Sequence, residues 1–271
     1  VDIMRALKRT APVCAMTAPA FAGQFDTEYG RLITAIKKLG FSDVTEVAFG
    51  AERTAAEEAE ELLERLEKNE SFMTTSCCPA YIQAVRRHIP EMLPHVSDTP
   101  TPMHYTAETV KSANPETVTV FIGPCVAKRR EALEDSCVDY VMTFEELAAL
   151  FEAAGIKPAE CEEAAITRKP SAEGRGFGSS GGVAGAVTAA VAGRKPLRTA
   201  CINGTGKAEI ARMKAYAKNG APYDLIEVMT CPGGCSNGAG VYCHDGTAKA
   251  RLDKFVAASK DKTPPAENNG N

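Results

Sequence analysis

The sequence of 271 residues lacks an excess of positive charge, a long apolar run and an internal repeat. Its 31 Lys and Arg residues are outweighed by 35 Asp and Glu residues, and the net charge of −4 argues against a nucleic-acid-binding surface. No apolar run reaches the ~18–20 residues that a membrane-spanning helix needs. No segment repeats at the period of a solenoid. With 44% hydrophobic and 24% charged residues, the composition is that of a globular protein.

A secretory leader is also absent from the first 25 residues, which show no basic start followed by an apolar block. We therefore expect a cytoplasmic location, where disulfides are rare. The sequence nevertheless holds ten cysteines. Cysteines in a reducing compartment serve as metal ligands, reactive thiols or buried apolar residues, and ten are too many for burial alone.

Each end of the sequence supports a separate expectation. The chain begins with Val1 inside an apparent helix, which favours truncation of a longer protein. Residues 260–271 have almost no apolar side chains, and we expect them to form a disordered tail. Residues 1–259 would then form the folded part.

Strand and helix patterns alternate along the chain. Short apolar and β-branched runs predict buried strands at 13–17, 44–49, 71–75, 118–122, 200–203 and 224–229. Helices are predicted between them, one with a capping box formed by Thr143 and Glu146. The alternation favours an α/β fold of parallel sheets flanked by helices, with sites where loops leave the carboxyl ends of the strands.

Three cysteine segments directly follow predicted strands: TSCCPAY (75–81), GPCVAKRRE (123–131) and EVMTCPGGCSNGAG (227–240). Their small residues let backbone N–H groups approach anionic sulfur. Soft thiolates select zinc, copper(I) or iron–sulfur clusters. The wide separation of the segments favours a cluster assembled by the tertiary structure over a compact zinc site. The ferredoxin pattern CxxCxxCxxxCP does not occur.

In this order, the segments resemble the motifs TSCCP, PCxxKxxE and ExMxCxxGC of the iron-iron (FeFe) hydrogenases. Further matches are APAF (18–21), FGAE (49–52), EEAEELLER (57–65) and FGSSGGV (177–183), so the resemblance runs from about Pro12 to about Lys254. It implies two lobes, each a mostly parallel sheet flanked by helices, with the active site in the cleft between them. We expect the lobes at 1–110 with 225–259, and at 111–224.

The resemblance also implies an H-cluster, in which a 4Fe-4S cubane is joined to a two-iron subsite that carries CO, cyanide and azadithiolate. An unmatured chain would hold only the cubane. The implied cubane ligands are Cys78, Cys125, Cys231 and Cys235, and Cys235 would bridge to the two-iron subsite. The implied cofactor-binding residues are Lys128, beside a cyanide, and Met229, Phe177, Pro19 and Met103.

A proton path is implied as well, in the order Cys77, Glu58, Ser97, Glu61 and Arg65. The two glutamates and Arg65 share one face of a predicted helix. Taken alone, the EEAEE run is more typical of a solvated helix surface. Only the resemblance favours a path.

The implied function is the reversible reduction of protons to H2. Electrons would come from ferredoxin or from an N-terminal ferredoxin-like domain absent from this sequence, and dedicated maturases would build the two-iron unit. Three alternatives remain open: a slow sensor with the same cluster, a non-catalytic iron–sulfur assembly relative with only a cubane, and a structural zinc protein.

Three departures from the family pattern favour a divergent, sensory subgroup. Gly123 stands where the family commonly has Met, Met103 aligns with a pocket glutamine, and GAGVYC (238–243) replaces the usual turn after Cys235. Some residues are expected to have no ligand role. They are the buried Cys14, Cys137, Cys161 and Cys201, then Cys243, and the histidines His88, His95, His104 and His244.

Overall fold

The computed structural model describes residues 2–166 and 168–260. The strands are β1 (Val13–Thr17), β2 (Asp43–Glu46), β3 (Met73–Thr74), β4 (Val118–Gly123), β5 (Tyr140–Thr143), β6 (Thr199–Asn203) and β7 (Leu225–Met229). The α-helices are α1 (Asp2–Ala6), α2 (Tyr29–Lys38), α3 (Ala48–Glu67), α4 (Pro79–His88), α5 (Pro102–Ala113), α6 (Lys128–Ala132), α7 (Phe144–Ala153), α8 (Ala172–Gly176), α9 (Gly182–Val191), α10 (Lys207–Asn219) and α11 (Ala248–Lys260). Short 3-10 helices occur at Pro19–Gly23, Pro90–His95, Pro158–Glu160 and Cys235–Asn237.

Lys260 is the last residue of α11, and the rest of the predicted disordered tail lies outside the described residues. Among the helices of residues 2–166 and 168–260, none combines the length and the apolar character needed to cross a bilayer.

The strands form two sheets in which all neighbouring strands are parallel. The first sheet has the order β2-β1-β4-β5, and the second has the order β3-β7-β6. Parallel neighbours need long crossover connections, which the helices between the strands supply. The predicted α/β fold with parallel sheets and flanking helices is confirmed.

The sheets do not follow the expected boundary between residues 110 and 111. β1 and β4 lie on opposite sides of that boundary, yet they pair from Val13 opposite Val118 to Thr17 opposite Ile122. In the second sheet, β6 pairs with β7 across the boundary expected at residue 225. Packing of buried faces decides which strands are neighbours, so segments far apart in the chain share each sheet.

Helix α3 begins earlier than the pattern predicts. Strand β2 ends at Glu46, inside the range 44–49 that the sequence predicts as a strand. The leucine pattern predicts a helix only from Ala55, but α3 begins at Ala48. The buried face of its first turn consists of small residues, which give no apolar stripe in the sequence. The predicted capping box of Thr143 and Glu146 is present at the start of α7.

A glycine brings α3 close to α5. A Cβ atom at Gly50 would collide with the carbonyl oxygen of Pro102, the first residue of α5. Close packing of the two helices therefore depends on the missing side chain. It holds the helix that carries Glu58 and Glu61 against the helix that carries Met103.

A buried ion pair connects α8 to the end of β2. The Arg175 guanidinium donates to both carboxylate oxygens of Glu46, at 2.8 and 2.5 Å. The side chains are only 4% and 10% exposed. Burial raises the pKa of Glu46 although the Arg175 charge opposes that rise. The pair is therefore one whose disruption leaves an uncompensated charge.

We predict that Arg175→Met lowers the free energy of unfolding by about 3–5 kcal/mol, because Glu46 then stays buried without its partner. Urea denaturation followed by circular dichroism measures this loss. The control is Arg194→Met, since Arg194 forms an exposed pair with Glu60 and its loss should leave the midpoint unchanged. Equal midpoints for the two variants would contradict the prediction.

Candidate metal centre

An apolar pocket lies where loops leave the carboxyl ends of strands from both sheets. This is the position at which α/β proteins bind ligands. The loops after β1, β3, β4 and β7 each contribute to the wall. All residues expected to bind metal or cofactor line it: Pro19, Cys77, Cys78, Met103, Cys125, Lys128, Phe177, Met229, Cys231 and Cys235.

Local backbone geometry directs the cysteine segments into the pocket. Cys78 is the N-cap residue of α4, and Pro79 occupies the first turn, where a missing N–H costs nothing. Gly233 and Gly234 have φ values of 87° and 99°, a region that L-residues rarely adopt. They form a tight turn between Cys231 and Cys235, which therefore do not lie on one helical turn as their spacing allowed.

The sulfur spacing distinguishes between kinds of metal centre. Within the described ranges, no three sulfur atoms of Cys78, Cys125, Cys231 and Cys235 lie within 4.8 Å of one another. A tetrahedral zinc ion with Zn–S bonds of about 2.3 Å needs sulfurs about 3.8 Å apart. The four sulfurs are therefore too far apart for one zinc ion. A cluster whose iron atoms each take one cysteine fits the wider spacing.

Burial makes thiolates costly in this pocket. It raises the pKa of Cys125, and it raises the pKa of Cys231 to about 11, with neighbouring thiol groups adding to the shift. The same causes raise the pKa of Cys235 further. Positive charge inside the pocket, such as that of a metal cation, would therefore favour the thiolates of Cys125, Cys231 and Cys235.

Lys128 supplies only part of that charge: it lowers the pKa of Cys125 and of Cys235 against the effect of burial, but its ammonium is also paired with a carboxylate. Nζ donates to both carboxylate oxygens of Glu131 at 2.9 and 2.7 Å, and to Oγ1 of Thr101 at 3.2 Å. Burial opposes the charge, yet the Glu131 carboxylate raises the pKa of Lys128 above its usual value. The motifs did not predict Glu131 and Thr101 as partners of Lys128, although Glu131 is the last residue of the PCxxKxxE motif.

A buried carboxyl group lies behind Cys77. Oε1 of Glu58 accepts hydrogen bonds from the backbone N and the Oγ of Ser76, at 2.9 and 3.1 Å. Oε2 is buried and has no hydrogen-bond partner among the residues that the structure describes. Burial raises the pKa of Glu58 to about 7, and it raises the pKa of Cys77, to which the Glu58 charge adds. At neutral pH this carboxyl group can therefore take up or release a proton.

A second carboxylate lies closer to the surface on the same helix. Glu61 accepts from Oγ of Ser97 at 2.5 Å, from Oγ1 of Thr99 at 3.0 Å and from Nη2 of Arg65 at 2.6 Å. Burial works against its ionisation, but these hydrogen bonds and the Arg65 charge keep the pKa of Glu61 below its usual value. Glu61 is therefore ionised where Glu58 is only partly so.

Other residues lie between Glu58 and Ser97, which the expected proton path connects directly. Among the described residues no hydrogen bond joins these two side chains. Ser76 Oγ donates instead to the carbonyl of Thr99 at 2.7 Å, and the Thr99 N–H donates to Ser97 Oγ at 3.1 Å. The motifs did not predict a role for Ser76 or Thr99, although Ser76 belongs to the TSCCPAY segment.

Two of the remaining cysteines fit the expected burial. Cys14 and Cys161 are buried, but Cys137 is half-buried and Cys201 is exposed. The prediction for Cys201 was wrong because β6 is an edge strand whose burial alternates along the chain. Cys243 does not line the pocket, and its thiol contacts Asp245 instead.

The departures at positions 103 and 123 change the pocket wall. Met103 is fully buried and lines the pocket. A Cβ atom at Gly123 would collide with the Phe121 ring, so Phe121 occupies the space that a side chain at 123 would need. Met103, in place of a glutamine, makes this wall apolar, and the Phe121 ring adds to its apolar surface.

Comparisons of the sequence and of the structure with known proteins indicate the family that the motifs resemble. Residues 11–239 match the family described as iron only hydrogenase large subunit, C-terminal domain. The chain is 31% identical to iron hydrogenase 1 of Clostridium pasteurianum over 78% of its own length and 45% of that protein. It is 27% identical to cytosolic iron-sulfur assembly component 3 of Rattus norvegicus, over 79% of its own length and 57% of that protein. The chain thus spans about half the length of these relatives.

The fold is that of solved hydrogenase structures. A variant of the FeFe-hydrogenase HydA1 from Chlamydomonas reinhardtii superposes with a TM-score of 0.79, over 99% of this chain and 91% of that one. At 23% identity, the likeness concerns the fold.

The opposite pKa shifts of Glu58 and Glu61 predict opposite pH dependences of stability. In the metal-free wild-type protein, Glu58 stays protonated up to about pH 7, whereas an unfolded glutamic acid ionises near 4.5. The unfolded state holds fewer protons in this window, so the free energy of unfolding falls as pH rises, by about 3 kcal/mol. The variant Glu58→Gln should not show that fall.

The control variant is Glu61→Gln. Because the folded-state pKa of Glu61 is lowered, the wild-type chain should lose stability on acidification through that pKa, and Glu61→Gln should lose less. Urea unfolding at several pH values, from below the folded-state pKa of Glu61 up to pH 8, measures both effects. Parallel profiles for the wild type and Glu58→Gln would contradict the assignment of a buried, half-protonated carboxyl group.

Proposed function

The chain belongs to the iron-only hydrogenase family, and from this premise we propose that it is a catalytic domain that interconverts protons and H2. The observation that carries the proposal is the pair of proton-exchanging groups behind the cysteine quartet. Cys77 lines the pocket, and the buried Glu58 next to it has a free carboxyl oxygen and a pKa of about 7. A site that only stores an iron–sulfur cluster has no need of such groups.

The proposed cofactor is an iron–sulfur cluster held by Cys78, Cys125, Cys231 and Cys235. The residues fit such a group, since within the described part of the chain no three of their sulfurs are close enough for one ion, and added positive charge would favour the thiolates of Cys125, Cys231 and Cys235. In the finer proposal the group is an H-cluster, and Cys235 also holds its two-iron subsite. When bound, the cluster accepts and releases the two electrons that H2 chemistry requires.

The chain itself would move protons between the pocket and the surface. Cys77 exchanges a proton at Sγ, and Glu58 would take it up at Oε2 and pass it on from Oε1, which contacts the Ser76 hydroxyl. The hydroxyl groups of Ser97 and Thr99 connect to the carboxylate of Glu61, which is paired with Arg65 near the surface. A carboxyl group whose pKa lies near the working pH exchanges protons in both directions, which suits a reversible reaction.

The apolar side chains would keep water out of the pocket. Met103, Met229 and Phe177 are almost fully buried and line it together with Pro19. Exclusion of water strengthens electrostatic interactions and suppresses side reactions at a reactive metal group. Lys128, held by Glu131, presents a fixed positive charge toward anionic ligands of the cofactor.

Electrons would enter near Cys125. Its neighbour Val126 is 47% exposed, and the exposed Arg129 and Arg130 follow on α6. We propose a ferredoxin-type donor or a ferredoxin-like domain as the partner, and dedicated maturases as suppliers of the two-iron unit. A cytoplasmic location stays a prediction.

The alternative is a non-catalytic role in iron–sulfur assembly, and similarity to an assembly component supports it. A slow sensor with the same cofactor is a further possibility, favoured by the changed residues Met103 and Gly123. The first alternative needs only the cubane. The second needs the full cofactor but not a high rate.

We predict that chain co-produced with maturases shows infrared bands of iron-bound CO and cyanide. The chain produced without maturases holds iron and sulfide in cubane amounts and should lack these bands. Iron-loaded chain without the bands after maturation would support the assembly role. Bands without H2 evolution under excess reductant would support the sensor.

We further predict that Glu61→Gln lowers H2 turnover of the matured protein by about 10²-fold or more, the usual contribution of a positioned proton donor. Iron content and infrared bands should not change. Glu60→Gln is the matched control, because Glu60 is an exposed neighbour on the same helix. Unimpaired turnover of Glu61→Gln would remove this residue from the proposed route.

A further inference from the structure

A second group of metal-binding side chains lies outside the pocket. His104 on the first turn of α5 lies beside Asp135 and Cys137, in the turn between α6 and β5. One ligand atom from each residue, a ring nitrogen, a carboxylate oxygen and the sulfur, lies within 4.8 Å of both others. In contrast to the cysteine quartet, these three atoms are close enough together to bind a single ion.

Hydrogen bonds hold the carboxylate in place. Oδ1 of Asp135 accepts the backbone N–H of Cys137 at 2.8 Å, and Oδ2 lies 2.9 Å from Nδ1 of His104. The Asp135 side chain is 8% exposed and that of His104 is 30% exposed. The oxygen that faces the ring is therefore positioned by the turn, while solvent can still reach the histidine.

The ligand types indicate which metal would bind. An imidazole nitrogen, a carboxylate oxygen and a thiolate together suit the borderline-soft zinc ion, and zinc sites with three protein ligands keep a water in the fourth position. An open cavity lined by Thr101, His104 and Glu131 leaves room for that water.

We propose that Nδ1 of His104, a carboxylate oxygen of Asp135 and Sγ of Cys137 bind one zinc(II) ion. On binding, the Cys137 thiol releases its proton to water, and the neutral imidazole keeps its proton on Nε2. The ion would link the start of α5 to the segment after α6. That cavity wall includes Thr101 and Glu131, the partners of Lys128, so zinc would stabilise the anchor of a pocket residue.

The test uses iron-loaded protein, in which the pocket cysteines are already occupied. We expect one zinc per chain after equimolar addition and gel filtration. Zinc-edge X-ray absorption, which does not detect iron, should show one sulfur at about 2.3 Å and three nitrogen or oxygen ligands at about 2.0–2.1 Å. Affinity should fall with falling pH, because binding releases a proton.

Variants separate this site from the rest of the protein. His104→Ala and Cys137→Ser should weaken zinc binding by at least about 100-fold, since even losing a group that only orients a ligand costs about 10–100-fold. Cys137→Ser should also remove the sulfur signal. The controls Cys201→Ser and His88→Ala change residues outside the cluster and should bind zinc like the wild type.

Three results would overturn the proposal. They are no zinc retained by the wild type, a zinc affinity of both site variants equal to that of the wild type, or a zinc ion with four sulfur ligands. The last would mean that zinc had replaced iron in the pocket. None of these measurements uses H2 turnover, so the zinc site and the proposed function can fail independently.

Discussion

The cost of negative charge in an apolar cleft governs this structure. Cys78, Cys125, Cys231 and Cys235 line the cleft and are half-buried, and the carboxyl groups of Glu58 and Glu227 are buried. Different groups compensate the negative charges. Glu227 accepts the N–H groups of Gly181 and Ala184 at the start of α9, and Glu58 accepts from Ser76 and is partly protonated. Lys128 lowers the pKa of Cys125 and of Cys235, although Glu131 also pairs with its ammonium.

The same cost of burying negative charge makes burial and carboxyl pKa values vary along α3. Glu58 is fully buried, Glu61 is partly buried and hydrogen-bonded, and Arg65 donates to the carbonyl oxygens of Pro94 and Val96 near the surface. Burial dominates at the inner carboxyl group and hydrogen bonding at the outer one, so their pKa values move apart. Two carboxyl groups of identical chemistry thereby acquire different protonation states within one helix. The proposed proton route depends on this difference.

Residues without large side chains make the arrangement possible. Gly50 lets α3 lie against α5, and Gly123 leaves room for the Phe121 ring at the pocket wall. Gly233 and Gly234 turn the chain so that both flanking cysteines face the pocket. In each place a Cβ atom would strain the backbone or displace a neighbour, and a displaced wall would change the sulfur spacing on which the kind of metal centre depends.

Much of the fold and of the candidate site could be predicted from the sequence alone. Alternating strand and helix patterns predicted parallel sheets, and Cys78, Cys125 and Cys231 directly after strands predicted one shared site, because carboxyl ends of parallel strands form one edge. Tertiary structure alone decided the strand order, the bridging role of Ser76 and Thr99, and the meeting of His104 with Cys137. These depend on distances between segments far apart in the chain, and local patterns carry no information about such distances.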